Sequence, residues 1–204
     1  MPDLRGRVAV VTGADSGLGF EIALELARGG AAVTLACREL ERGDEAVERV
    51  AGQVPGAEVR ARKIDLGDLG SVREFASGFD GPLDVLVNNA GVMATPKQLT
   101  VDGFELQLGT NYLGHFALTG LLLPCLSEPP EARVVTMSSH MAALGRIRLD
   151  DLNSERRYGR FSAYQQSKLA NLMFALELSR RAGDRLLSAR ELWDESERLT
   201  GVSY

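Results

Sequence analysis

The stretch RVAVVTGADSGLG, residues 7–19, decides how the rest of this chain is read. Its first half, RVAVVTG, is a continuous apolar run rich in valine. That is the pattern of a strand buried on both faces, as the strands of parallel sheets are. Its second half places glycines at Gly13, Gly17 and Gly19, with Asp15, Ser16 and Leu18 between them. The residues that follow have helical spacing, and Gly29 with Gly30 is a helix stop signal. A glycine leaving a strand permits a tight turn. A glycine opening a helix lets backbone N–H groups approach a phosphate, whose negative charge the helix N-terminus favours. The spacing differs from the usual G-x-G-x-x-G, and a glycine turn alone is also an ordinary loop. Its place between a buried strand and a helix favours a dinucleotide pyrophosphate.

The alternation of strand and helix continues outward from there. AAVTLAC reads as a second strand, and LERGDEAVERVAGQV as an amphipathic helix ended by Pro55 and Gly56. AEVRARKIDL alternates apolar and basic residues, as a less buried edge strand does. DLGSVREFASGF is a short helix, LDVLVNNAG a fourth strand with its exit, and ARVVTMSS a fifth. TVDGFELQLGTNYLGHFALTGLLLPCL reads as one long helix, placed at 99–123. FSAYQQSKLANLMFALEL supplies the next helix. Short, regular alternation predicts right-handed crossovers and a parallel sheet. The expectation is one α/β doubly wound domain over residues 1–204, without repeats or linkers.

Composition narrows the function classes. The chain has 204 residues, 45% hydrophobic and 25% charged, with a formal net charge of -5. The charges are interspersed without a basic stripe, which argues against a nucleic-acid partner. No run approaches the length of a membrane span, so a cytoplasmic protein is expected. Cys37 and Cys125 have no metal-ligand spacing and read as small buried residues in a reducing compartment. With only His115 and His140, a metal site is not expected.

At the end of the second strand stands Arg38. A dinucleotide site selecting NAD puts an acid at this place to accept the ribose hydroxyls. A guanidinium instead forks onto phosphate oxygens, so Arg38 argues for NADP over NAD. The plain alternative is a solvated arginine at a helix start. Asp15 sits awkwardly, since it sets a carboxylate close to where phosphates should lie.

Tyr164 and Lys168 are four residues apart on a helix and so share a face. A phenol with a pKa of about 10 is a poor base at neutral pH. Lowering it by roughly three units takes on the order of 4 kcal/mol, which a nearby ammonium in a partly desolvated place can supply. A carbonyl receiving hydride needs a proton at its oxygen, and an alcohol losing hydride must give one up. A tuned phenol serves both directions. A bare Tyr-x-x-x-Lys is more often an ordinary helix with a snorkelling lysine.

The motifs together resemble the short-chain dehydrogenase/reductase family. The matching pieces are TGADSGLG, the Asp65–Leu66 pair, NNAG at 88–91, Asn111 in GTNYLGHF, Ser138 with Ser139, and YQQSK at 164–168. They stand in the family's order and spacing over about residues 5–188. LACR, GVMATP, GTNYLGHFALTGLLLP and LDDLN resemble its retinol-dehydrogenase-like branch, itself similar to light-dependent protochlorophyllide reductases. The resemblance implies a Rossmann-type sheet in the order 3-2-1-4-5, with the cofactor cleft at the switch between the first and fourth strands. It implies Tyr164 as general acid/base and Lys168 as the group that lowers its pKa and binds the nicotinamide ribose. Ser139 would hydrogen-bond the substrate oxygen, and Asn111 would hold a water in a relay reaching Lys168. Asp65 and Leu66 would contact the adenine, and Asn89, Ala90 and Gly91 would line the cleft. The substrate would be a small carbonyl or alcohol, and the assembly a homodimer or homotetramer through the apolar helix at 168–178 and the long helix.

One departure matters. After RRAGDRLLS the chain runs directly into ARELWDESERLTGVSY. Family members have a Pro-Gly turn, a substrate-covering segment and later strands in between. Two explanations stay open: a stretch missing from the written sequence between Ser188 and Ala189, which is preferred, or a chain that truly lacks it. In the final segment Leu192, Trp193 and Leu199 form an apolar stripe if it is helical.

Overall fold

The computed structural model describes residues 2–127, 129, 131–183 and 196–202. The junction between Ser188 and Ala189 lies outside the described residues, as do Leu192 and Trp193. Five strands form one sheet: β1 (Val8–Thr12), β2 (Ala32–Cys37), β3 (Val59–Lys63), β4 (Val85–Asn88) and β5 (Arg133–Thr136). Their order is β3-β2-β1-β4-β5, as expected. The β1–β2, β2–β3 and β1–β4 pairings are all parallel. The helices are α1 (Gly17–Arg28), α2 (Leu40–Gln53), α3 (Leu69–Ser77), α4 (Leu106–Leu108), α5 (Gly114–Leu121), α6 (Leu123–Leu126) and α7 (Arg160–Gly183). No helix among the described residues is long and apolar enough to cross a membrane.

The chain groups into two compact units. The first comprises Met1–Asp65, Arg73–Ala90 and Leu121–Val135; the second Leu66–Val72, Gly91–Gly120 and Thr136–Tyr204.

In the first unit β1 is central, and Ala9, Val10 and Val11 are fully buried. Burying a valine is worth about 1.5 kcal/mol or more, which explains the unbroken apolar run. α1 turns Phe20, Ala23, Leu24 and Ala27 inward, at the helical spacing that the sequence displays. Its C-cap residue Gly29 donates its N–H to the Glu25 carbonyl, and Gly30 donates to the Ala27 carbonyl. Strand β3, at the sheet edge, keeps its arginines partly exposed. Arg62 lies 4.4 Å over the Phe75 ring and donates to the Phe75 carbonyl. Asp84 ties three strands at one end: its carboxylate accepts from Arg7 Nη1 at 2.6 Å and from Val8 N at 2.8 Å. Its carbonyl accepts from Arg133 N at 2.8 Å.

In the second unit the aromatic rings of Tyr112, Phe116 and Phe174 meet with centroids 5.5–6.3 Å apart. All three are buried, so α7 is held to the segment around Tyr112 by a dry aromatic contact. The Tyr112 hydroxyl lies 2.5 Å from Ser196 Oγ.

The long helix expected at 99–123 is not one helix. Residues before Leu106 form a turn with Gly103 at φ +83°, closed by an antiparallel bridge between Leu99 and Glu105. Glu105 caps α4 by accepting from Gln107 N and Leu108 N. Gly109–Leu113 is then a π-helical turn before α5 begins. Apolar periodicity alone does not reveal a glycine turn, a capping carboxylate or one extra residue in a helical turn.

Candidate functional site

In the first unit the glycine turn is built by backbone demands. A Cβ on Gly19 would stand 2.2 Å from the Gly13 carbonyl oxygen and 2.5 Å from Asn89 Nδ2, so no larger residue fits. Strand exits β1 and β4 are laced together: Thr12 Oγ1 accepts from Asn89 N at 2.9 Å and Ala90 N at 3.0 Å, and Asn89 Nδ2 donates to the Thr12 carbonyl at 2.9 Å. The switch point expected between the first and fourth strands is therefore present in this unit.

The start of α1 is open. Ser16 makes no side-chain cap, no acid stands in the first turn, and a Cβ at Gly17 (φ +56°) would meet nothing. Uncapped N–H groups behind an empty glycine face are what a phosphate group requires. Leu18 is exposed beside them. The awkward carboxylate of Asp15 is turned aside by an ion pair with Arg42, 2.6 Å away. Arg42 also reaches Ser16 Oγ at 3.4 Å, and Arg49 donates to the Asp15 carbonyl at 3.0 Å while stacking on Phe20. Arg38 is largely exposed, 3.6 Å from Glu39 Oε1. The sequence reading missed Arg42 and Arg49. Arg42 had a signal, since it follows Arg38 by four residues at the start of a helix. Asp65 is half-buried at the end of this unit.

Leu66 belongs to the second unit and is buried. Its carbonyl lies where a Cβ on Gly114 would fall.

In the second unit Tyr164, Lys168, Asn111 and Gly91 lie together. Lys168 is 5% exposed, with its ammonium 5.8 Å from the centre of the Tyr164 ring and 2.9 Å from the Met137 carbonyl, to which it donates. Burial pushes its pKa down. A Cβ on Gly91 would lie 3.6 Å from that ammonium and 3.1 Å from Asn111 Oδ1. Asn111 stands in the π-helical turn, where its side chain accepts from Val92 N at 2.7 Å and donates to the Val92 carbonyl and to Ser167 Oγ. Its amide is thus spent on shape. The Asn111 carbonyl accepts from His115 Nδ1 at 2.9 Å. His115 is buried, and desolvation lowers its pKa to about 4, with Lys168 adding to the effect.

The two serines divide their work. Ser138 Oγ donates to the Lys168 carbonyl at 2.8 Å and so fastens the strand exit to α7. Ser139 Oγ accepts from Met141 N at 3.2 Å, capping the turn His140–Leu144, and keeps its proton to donate elsewhere.

The pattern that describes short chain dehydrogenases matches residues 7–186. The chain belongs to the short-chain dehydrogenase family. Within it the chain falls on the retinol-dehydrogenase-like branch. It is 48% identical over 179 residues to mouse retinol dehydrogenase 12, covering 86% of this chain and 57% of that protein. With human retinol dehydrogenase 11 it is 48% identical over 181 residues, covering 87% and 57%. The chain therefore spans little more than half the length of these relatives. Among solved short-chain-dehydrogenase-like structures, an uncharacterised protein from Mycobacterium paratuberculosis is 46% identical with TM-score 0.81, covering 100% of this chain and 79% of its own. A short chain dehydrogenase from Escherichia coli CFT073, solved with NADPH, is 26% identical with TM-score 0.70, covering 90% and 76%.

Proposed function

We propose that the protein is an NADP-dependent oxidoreductase that moves hydride between the nicotinamide and a carbonyl or alcohol, with Tyr164 as general acid/base. One observation carries this: a buried ammonium, Lys168, held beside the ring of Tyr164. Tyr164 gives or takes the proton at the substrate oxygen. Lys168 favours the phenolate and binds the nicotinamide ribose. Ser139 donates a hydrogen bond to the same oxygen. The Asn111 side chain holds the π-helical turn in shape, and its main-chain carbonyl, with a second lone pair beside the His115 contact, serves the relay to Lys168. The bound cofactor supplies or accepts the hydride.

The glycine turn at Gly13, Asp15, Ser16, Gly17, Leu18 and Gly19 takes the pyrophosphate, supported by the open start of α1. Arg38 and Arg42 take the 2′-phosphate, which favours NADP over NAD. Asp65 and Leu66 meet the adenine, and Asn89, Ala90 and Gly91 the ribose side. We read residues 1–204 as one oxidoreductase domain. A homodimer or homotetramer is expected, because Leu172 and Leu176 on α7 remain exposed; the expected place is the cytoplasm.

Tyr164→Phe tests the reading. With NADPH and a panel of aldehydes and ketones that includes retinaldehyde, kcat falls by about 10³ while the fold and NADPH affinity persist. Equal turnover by the variant and the parent sinks it.

A further inference from the structure

We propose that Asn171 is a positioning residue for Lys168: its amide N–H orients the carbonyl that receives the ammonium. The role of Lys168 in catalysis rests on the function proposed above; the placement of Asn171 does not.

Asn171 follows Lys168 by three residues on α7, so the two side chains share a helix face. Asn171 is 1% exposed. Its Nδ2 donates to the Met137 carbonyl at 3.1 Å, the same oxygen that accepts from Lys168 Nζ at 2.9 Å. A carbonyl oxygen has two lone pairs, and here both are engaged. The amide and the ammonium are thereby neighbours through a single atom. The orientation of the amide follows from this contact, because turning it over would set two acceptors against each other.

The amide's other end is the unusual part. Asn171 Oδ1 is fully buried and has no hydrogen-bond partner among the described residues. Leaving a buried acceptor unpaired costs about 1–3 kcal/mol. An apolar residue of similar shape avoids that cost, so stability does not explain an asparagine here. Charge does. Burial pushes Lys168 towards its neutral form, which is useless for stabilising a phenolate. A partial negative charge close by, in a medium of low dielectric, opposes that shift. Among the described residues, the ionisable side chains on the elements shown packed against this part of α7 do not supply it: they are Tyr112, His115 and His140, with Tyr164 on α7 itself. Burial keeps Tyr112 and His115 neutral at pH 7, and His140 is exposed. The Met137 carbonyl, which Asn171 Nδ2 orients, is left to hold the charge.

The test is Asn171→Leu, which removes both polar atoms and keeps the volume, with Asn171→Ala as the substitute if the leucine protein does not fold. In the cofactor-free protein, lysine carrying ¹³C at Cε is titrated by NMR, and the Lys168 signal is assigned by its loss in Lys168→Arg. The expected result is a Lys168 titration moved down by about one unit, together with a urea midpoint unchanged or raised. With NADPH and the best substrate of the panel, kcat falls about tenfold and NADPH affinity changes less than twofold. An unmoved Lys168 titration overturns the proposal. So does a fall in the urea midpoint with kcat reduced only in proportion to the folded fraction. Turnover by Tyr164→Phe would sink the oxidoreductase reading, yet the cofactor-free titration would still judge Asn171.

Discussion

The glycine turn of the first unit and the Tyr164–Lys168 cluster of the second achieve precision by opposite means. In the turn, backbone does the work: Gly19 is packed against the Gly13 carbonyl, and the charged side chains around it, Arg38 and Arg42, are at least half exposed. In the cluster, side chains do the work: Lys168, Asn111, Asn171 and His115 are buried and bonded mostly to carbonyls. The difference follows from what each region has to bind in the proposed function. A phosphate is met by repeated N–H groups, which any sequence with enough glycine can present. A proton must be held at one atom with a tuned affinity, which requires a dry surround and specific neighbours.

That contrast can be broken by experiment, beginning with the largest expected effect. Gly19→Ala forces a Cβ into backbone, so urea unfolding should show a loss of about 4 kcal/mol or more. A variant as stable as the parent would mean that the turn yields easily and that backbone crowding does not define it.

The second effect concerns pH. The buried imidazole of His115 has a pKa of about 4 against an ordinary 6.5. Below pH 6.5 the unfolded chain binds a proton that the folded protein refuses. Stability is therefore full above that range and declines as pH drops from 6.5 towards 4. The shift corresponds to about 3 kcal/mol at the acid end. Urea midpoints between pH 7 and 4 should show this slope, and His115→Gln should flatten it. An identical slope in both proteins would place the proton uptake elsewhere.

The smallest effect belongs to the exposed arginines. Arg42→Ala should raise the Kd of NADPH about tenfold, or 1.4 kcal/mol, and that of NADH by clearly less, through the Asp15 carboxylate it releases. Equal weakening of both coenzymes would mean that Arg42 acts through Asp15 and not through a phosphate.

How much of this was legible beforehand differs between the two regions. The strand and turn of residues 7–19 could be read directly, because a doubly buried strand must be apolar throughout and a close turn must be glycine. Tyr164 and Lys168 were readable as a pair from their four-residue spacing, and Arg38 from its place after β2. Arg42 was overlooked because an arginine on an amphipathic helix looks like any solvated charge until its partner Asp15 is seen. Asn171 was overlooked because an asparagine inside an apolar helix carries no periodic signal. The helix at 99–123 was misread because its apolar pattern runs unbroken across a glycine turn, a cap and a π-helical insertion.

The amino-acid order by itself determined the alternation of strands and helices, the parallel sheet they form, and the positions where only glycine is tolerated. These depend on local backbone limits and on burial along one element, both written in neighbouring residues. The tertiary structure alone decided which carbonyl receives Lys168, that Asn171 shares it, that His115 is neutral, and that Asp15 is disarmed by Arg42. Those facts depend on residues distant in the chain meeting where water is scarce, and electrostatic interactions there are set by distance and desolvation, neither of which any spacing of letters records.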